Sequence, residues 1–413
     1  MARRRKPLPV EPQAQAEALI ARADTFGAHN YAPLPVVLTR GEGAFVWDVE
    51  GRRYLDCLSA YSAVNQGHCH PHIVAALETQ ARRLTLTSRA FHNDQMGALL
   101  EKLCALTGYP KALLMNTGVE GVETALKAMR RWGAEVKGVP DGEIIVAANN
   151  FHGRTITAVS LSTDPSSFGG YGPFTPGFVK VPFGDADALE RALTPRTVGV
   201  LVEPIQGEAG VIIPPDDWLP RVREACTRHR VLLALDEVQT GFGRTGRLFA
   251  WQHWNARPDL LVLGKALSGG VYPISAVCGV AEVMDRFTPG THGSTYGGNP
   301  LAAAVGVAAL EVLEHEGLAE RARVLGEQAL AALKLGLAKA PHVASVRGRG
   351  LMLAIDFTSD VAHALAVKLA AEAAVLCKDT HGRTLRIMPP LVTPERELLD
   401  AIGRICAVLS APP

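Results

Sequence analysis

The chain of 413 residues is long enough for two or more domains, each with its own hydrophobic core. Its 47% hydrophobic and 20% charged residues, with a formal net charge of +1, describe a globular protein without the basic footprint of a nucleic-acid binder. No apolar run approaches the roughly 18 residues of a membrane span, and the seven cysteines are scattered without a CxxC spacing, which argues against a disulfide framework.

The basic opening Arg3-Arg4-Arg5-Lys6 has no apolar segment behind it, so it is not a secretory signal. A disordered tail, kept extended by Pro7, Pro9 and Pro12, is expected, with a mitochondrial presequence as the alternative. The expected location is the cytoplasm. Residues 13–28 have helical spacing, and Pro33 and Pro35 hold the next stretch extended. Val36 to Leu38 and Ala44 to Trp47 read as short strands around Gly41-Glu42-Gly43, with a turn at Asp48–Gly51 and extended chain at Tyr54–Asp56. An irregular loop from Tyr61 to His72 follows, long enough to carry function. Within it His68-x-His70-x-His72 invites a zinc reading. No acidic or thiolate partner sits at ligand spacing, and Pro71-His72 opens a helix, so packing histidines are expected.

Leu113-Leu114-Met115 ends a strand, and apolar spacing from Val122 to Met129 marks a helix after it. Thr117 and Gly118 therefore stand at a helix start, where free backbone N–H groups favour an anion. No GxxxxGK[ST] is present, so this is not a nucleotide P-loop. Ile144 to Ala147 is a strand leading to Phe151 and Arg154, an aromatic that can cover a planar ligand and a cation that can grip a carboxylate. Val198 to Val202 leads to Glu203 and Glu208, and after a helix over 218–229 the run Val231 to Leu235 delivers Asp236. Leu260 to Leu263 is a buried strand with Lys265 just beyond its carboxyl end. Ligands of open α/β sheets bind outside the carboxyl ends of the strands, so this lysine is placed for chemistry. To act as a nucleophile it must be desolvated or condensed with a carbonyl.

Strands alternating with helices, each ending in a polar residue, predict an α/β fold with a doubly wound, mostly parallel sheet. A Gly-rich loop, His292 to Pro300, precedes a long helix over 301–315, and the boundary between domains is expected between Pro289 and Pro300. Helices over 318–338, 361–373 and 394–409, with strands near 343–357 and at Thr384 to Met388, read as a smaller α+β domain.

A lysine able to form an imine, a carboxylate at Asp236, an anion-receptive helix start and a covering Phe151 together describe a pyridoxal phosphate site. The motifs NYAPLP, WDVEGRRYLDCLSAYSAVNQGHCHP, NTGVEGVETALK, NNFHGRT, EPIQGEAGV, LDEVQTGFGRTG, LGKALSGG, HGSTYGGNPL and RIMPPL carry a resemblance over residues 30–390. The chain resembles the class III aminotransferases of the aspartate aminotransferase fold (fold type I), and within them the ornithine-specific branch. The resemblance implies that Lys265 holds the cofactor and moves the proton, that Asp236 pairs with the pyridine nitrogen and that Gln239 contacts the ring oxygen. It implies phosphate binding by Gly118 and Val119 with Thr117, stacking by Phe151, and Ser294 and Thr295 reaching the neighbouring subunit's cofactor, hence a homodimer with shared sites. Arg154 and Tyr31 would hold the substrate α-carboxylate, while Tyr61, Glu208 and Arg386 shape the rest of the pocket.

The implied domains are an N-terminal segment over 1–60 packing with the small domain, a large cofactor domain over 61–295 and a small domain over 296–413. The implied reaction moves the δ-amino group of L-ornithine to 2-oxoglutarate. N-acetylornithine or 4-aminobutyrate transamination are alternatives, and a racemase or a non-catalytic cofactor binder are more distant ones. Relatives often have Ala-Gly or Ala-Val where Gly121-Val122 stands, and some have tryptophan at His152, which bears on packing near Arg154.

Overall fold

In the computed structural model, residues 12–411 are described; the basic tail lies outside them. Pro12 opens a helix, Pro12–Phe26, instead of extending the tail. Strands β1 (Leu38–Glu42), β2 (Phe45–Asp48) and β3 (Arg53–Asp56) form an antiparallel meander. The first strand begins at Leu38 and runs through Gly41, where a turn is expected from the glycines. The chain turns only at Gly43, at φ +56°.

The central sheet has seven strands. They are β4 (Lys111–Met115), β5 (Glu143–Ala147), β6 (Phe178–Val181), β7 (Thr197–Val202), β8 (Leu232–Asp236), β9 (Leu260–Leu263) and β10 (Ser275–Gly279). Their order is β4-β10-β9-β8-β7-β5-β6. β5 to β9 run parallel, whereas β10 is antiparallel to both its neighbours. β7, β8, β9 and β10 are buried at every residue, which is why they read as apolar runs without alternation. Because β10 runs backwards between β4 and β9, the carboxyl ends of β4, β5, β7, β8 and β9 all open on one side. Ser275, at the start of β10, lies on that side, opposite Met115.

The C-terminal part holds β11 (Val343–Arg349), β12 (Met352–Phe357), β13 (Val375–Leu376), β14 (Lys378–Thr380) and β15 (Thr384–Ile387). β11, β12, β15 and β14 make an antiparallel sheet covered by helices Leu318–Leu337 and Ala362–Lys368, and helix Glu395–Ser410 packs on the first of these. β13 instead pairs in parallel with β3, so the N-terminal meander and the C-terminal part share one sheet. The expected helix over 361–373 is regular only to Lys368 and widens over Leu369–Ala373. Among the described residues no helix is long and apolar enough to cross a membrane.

Candidate active site

Five strand ends supply the site. β4 is followed by Thr117, which caps helix Gly118–Trp132: its hydroxyl accepts from the Glu120 N–H at 3.3 Å, and Glu120 reaches back to the Thr117 N–H at 2.8 Å. Gly118 and Val119 of that first turn line the cleft. Gly118 has no room for a side chain, since a Cβ there would come within 2.9 Å of Val238. β5 leads to Phe151 and His152, β7 to Glu203 and Glu208, β8 to Asp236 and Gln239, and β9 to Lys265. Lys265 itself has φ +43°, a left-handed conformation that is strained for a side chain of this kind and found mostly at functional positions.

Gly118, Val119, Phe151, His152, Glu203, Glu208, Asp236, Gln239 and Lys265 line one cavity of about 200 Å³. Burial lowers the pKa of the Lys265 ammonium, against the opposing pull of Glu208 and Asp236. Asp236 Oδ2 lies 2.8 Å from His152 Nδ1, and its Oδ1 accepts the Val238 N–H at 3.0 Å. Burial pulls the His152 pKa down, but the bond and charge of Asp236 outweigh it and raise the pKa overall. Burial pushes Glu203 up to about 7, so this carboxyl titrates near neutrality. Glu208 Oε1 sits 2.8 Å from Arg386 Nη1 and 2.9 Å from Gln239 Nε2. Burial alone would raise the Glu208 pKa; Arg386, Lys265 and the two hydrogen bonds hold it below the ordinary value. Arg386 is 2% exposed, and its guanidinium stands 5.2 Å from the Tyr61 ring centroid.

The remaining expected site residues lie further out. Arg154 is exposed, bonded to Ser167 at 3.0 Å and set 5.2 Å from the Phe151 ring centroid. Tyr31 is 77% exposed and shares a second, largely apolar cavity of about 450 Å³ with Tyr61. Ser294 Oγ accepts from Asn116 Nδ2 at 3.0 Å, while Thr295 is exposed. His152 is the site residue to which the sequence assigned no role: its ring turns inward to Asp236. His68, His70 and His72 do not converge, each pairing with its own carboxylate at Asp56, Glu316 and Glu311.

Tyr61 rises from an unusual segment. Ser59, Ala60, Tyr61 and Ser62 all have positive φ, from 44° to 73°, making a left-handed turn where an irregular loop was expected. Such a conformation costs L-residues about 1 to 2 kcal/mol each, so the neighbouring contacts must hold it.

Pyridoxal phosphate suits these residues. The cavity offers a desolvated amine, an aromatic wall, a helix start for an anion and an aspartate. The buried Gln239 Oε1 and His152 Nε2 have no partner among the described residues. The match of the class III aminotransferase model to residues 26–409 agrees with that fit, and the chain belongs to this pyridoxal phosphate-dependent family. It is 56% identical over 391 residues to an ornithine aminotransferase of Bordetella pertussis, covering 94% of each chain. The crystal structure of the Toxoplasma gondii ME49 ornithine aminotransferase superposes with a TM-score of 0.94 at 48% identity, covering 95% of this chain and 94% of that one. An acetylornithine aminotransferase structure from Elizabethkingia anophelis gives 0.89 at 50% identity, covering 95% and 98%.

Proposed function

We propose that the protein transfers the δ-amino group of L-ornithine to 2-oxoglutarate, yielding glutamate and glutamate 5-semialdehyde, which cyclises to pyrroline-5-carboxylate. The observation that carries this reading is the Glu208–Arg386 pair beside Tyr61, at the cavity that holds Lys265. When bound, pyridoxal phosphate supplies the carbonyl that carries the amino group between two half-reactions, giving ping-pong kinetics. Lys265, its ammonium pKa lowered by burial, attaches the cofactor and moves a proton at the donor carbon. Asp236, oriented by His152, keeps a proton on the ring nitrogen; Gln239 binds the ring oxygen and Phe151 covers the ring. Thr117, Gly118 and Val119 bind the phosphate.

Arg154 and Tyr31 bind the donor's α-carboxylate. Glu208 neutralises Arg386 while the cationic α-amino group of ornithine is present, and releases it for the second carboxylate of 2-oxoglutarate. An unpaired guanidinium next to an ammonium in a dry site would be costly, which supports an exchangeable partner. Tyr61 closes the pocket to acylated donors. A second reading, N-acetylornithine transamination, is favoured by the 50% identity to the Elizabethkingia protein. Steady-state kcat/KM for L-ornithine, N-acetylornithine and 4-aminobutyrate separates the readings. Ornithine should lead by at least about tenfold, and a lead for N-acetylornithine would reverse the assignment.

The same proposal includes a homodimer in which Ser294 and Thr295 reach the neighbour's site. It is supported by the exposed Thr295, Tyr296 and Phe91 of the single chain. It includes the division into segments 1–60, 61–295 and 296–413, supported by the shared β3–β13 pairing, and a cytoplasmic location, supported by seven unpaired cysteines.

A further inference from the structure

The turn carrying Tyr61 runs against the preference of its own residues. Four consecutive positive φ values would suit glycine, yet the segment is Ser59-Ala60-Tyr61-Ser62. What secures it begins at Asp56, the last residue of β3, which is buried. Asp56 Oδ1 accepts the N–H groups of Leu58 at 2.9 Å and Ser59 at 2.8 Å, and Oδ2 lies 2.8 Å from His68 Nε2. The turn's first hydroxyl, Ser59 Oγ, donates to the Met388 carbonyl at 2.6 Å and accepts from Arg244 Nη2 at 3.1 Å. Downstream of these anchors the Tyr61 ring meets Arg386.

We propose that Asp56 is a positioning residue for donor selection: its carboxylate caps the left-handed turn and so fixes the Tyr61 ring against the Glu208–Arg386 pair. The inference rests on the donor reading above and adds the device that enforces it. Asp56 lies outside the lining of the Lys265 cavity and borders the outer cavity that Tyr31 and Tyr61 share. It lowers the free energy of a backbone conformation that otherwise relaxes to φ < 0, and such relaxation would swing the ring away and open the pocket to larger donors.

Three variants test it, read as the ratio of kcat/KM for L-ornithine to that for N-acetylornithine, with the thermal midpoint and crystal structures alongside. Asp56→Ala removes the cap, and the ratio should fall about tenfold, through KM for ornithine more than kcat. Adding Ala60→Gly, which takes positive φ at no steric cost, should restore most of the ratio. Ala60→Val leaves Asp56 and His68 intact but cannot easily adopt φ +46°. It should reproduce the fall, and it decides the matter if Asp56→Ala does not fold. The crystal structures should show residues 60 and 61 at negative φ in the low-ratio variants only. A folded Asp56→Ala or Ala60→Val with an unchanged ratio, or a fall that glycine does not reverse, overturns the proposal. If the unmodified protein prefers N-acetylornithine, the donor reading fails, while the φ values still report on the turn.

Discussion

Asp236 has its two carboxylate oxygens committed to different partners, the Val238 N–H and the His152 ring. If Asp236 keeps the cofactor's ring nitrogen protonated, Asp236→Asn should cost several orders of magnitude in kcat while leaving the thermal midpoint nearly unchanged; a near-normal rate would refute the role. A hydrogen bond to a charged group contributes about 1.5 to 3 kcal/mol, so His152→Phe should slow turnover by one to two orders of magnitude. Both variants are checked by pre-steady-state absorbance. For the outer pair, Arg386→Ala should damage the 2-oxoglutarate half-reaction most, and Glu208→Ala should shift preference from ornithine toward glutamate. Equal slowing of both half-reactions in both variants would make the pair a static bridge. Glu237 offers a test by pH. It is fully buried, accepts from the Ala250 and Trp251 N–H groups at 2.6 and 2.8 Å, and burial raises its pKa to about 7. The folded state therefore binds more protons than the unfolded one between the ordinary glutamate value and about 7. Its contribution is complete below that window and is lost as pH rises through it. Wild type should lose up to about 3 kcal/mol relative to Glu237→Gln across that range, measured by denaturant titration; a constant difference would contradict it. Lys265 and Asp236 were legible because each follows an apolar strand. His152 was not, because its partner is 84 residues away and only the fold brings them together.

At the scale of elements, the helix start after β4 is held by a reciprocal cap, Thr117 with Glu120, whose two residue types stand three apart in the sequence. Thr117→Val should cost about 1 kcal/mol of stability and weaken cofactor retention, measured by dialysis; loss of stability without loss of retention would make the cap purely structural. The buried parallel strands were legible from continuous apolar runs. β10 was not: its antiparallel direction is set by pairing with β9 and with β4, which lies far back in the chain. β6 was missed because it is a four-residue edge strand carrying Lys180, a polar residue that suits an edge. The left-handed turn was illegible for a different reason. Its residues have no left-handed preference, and the contacts that impose it come from Asp56, Arg244 and Met388.

The whole molecule joins its two ends, since β3 near the start pairs with β13 near the finish, and Arg386 from the C-terminal part completes a site built on the central sheet. If the dimer is obligate, sedimentation should give twice the chain mass, and Thr295→Arg should release cofactor; a fully active monomer would contradict the shared site. The central claim is that the amino group transferred is the terminal one. It is tested most directly by supplying L-ornithine labelled with heavy nitrogen only at the δ position, together with unlabelled 2-oxoglutarate, and weighing the glutamate formed. The account predicts that the glutamate carries the label and that the carbon product is pyrroline-5-carboxylate. Unlabelled glutamate, with the heavy nitrogen retained in the carbon product, would contradict it.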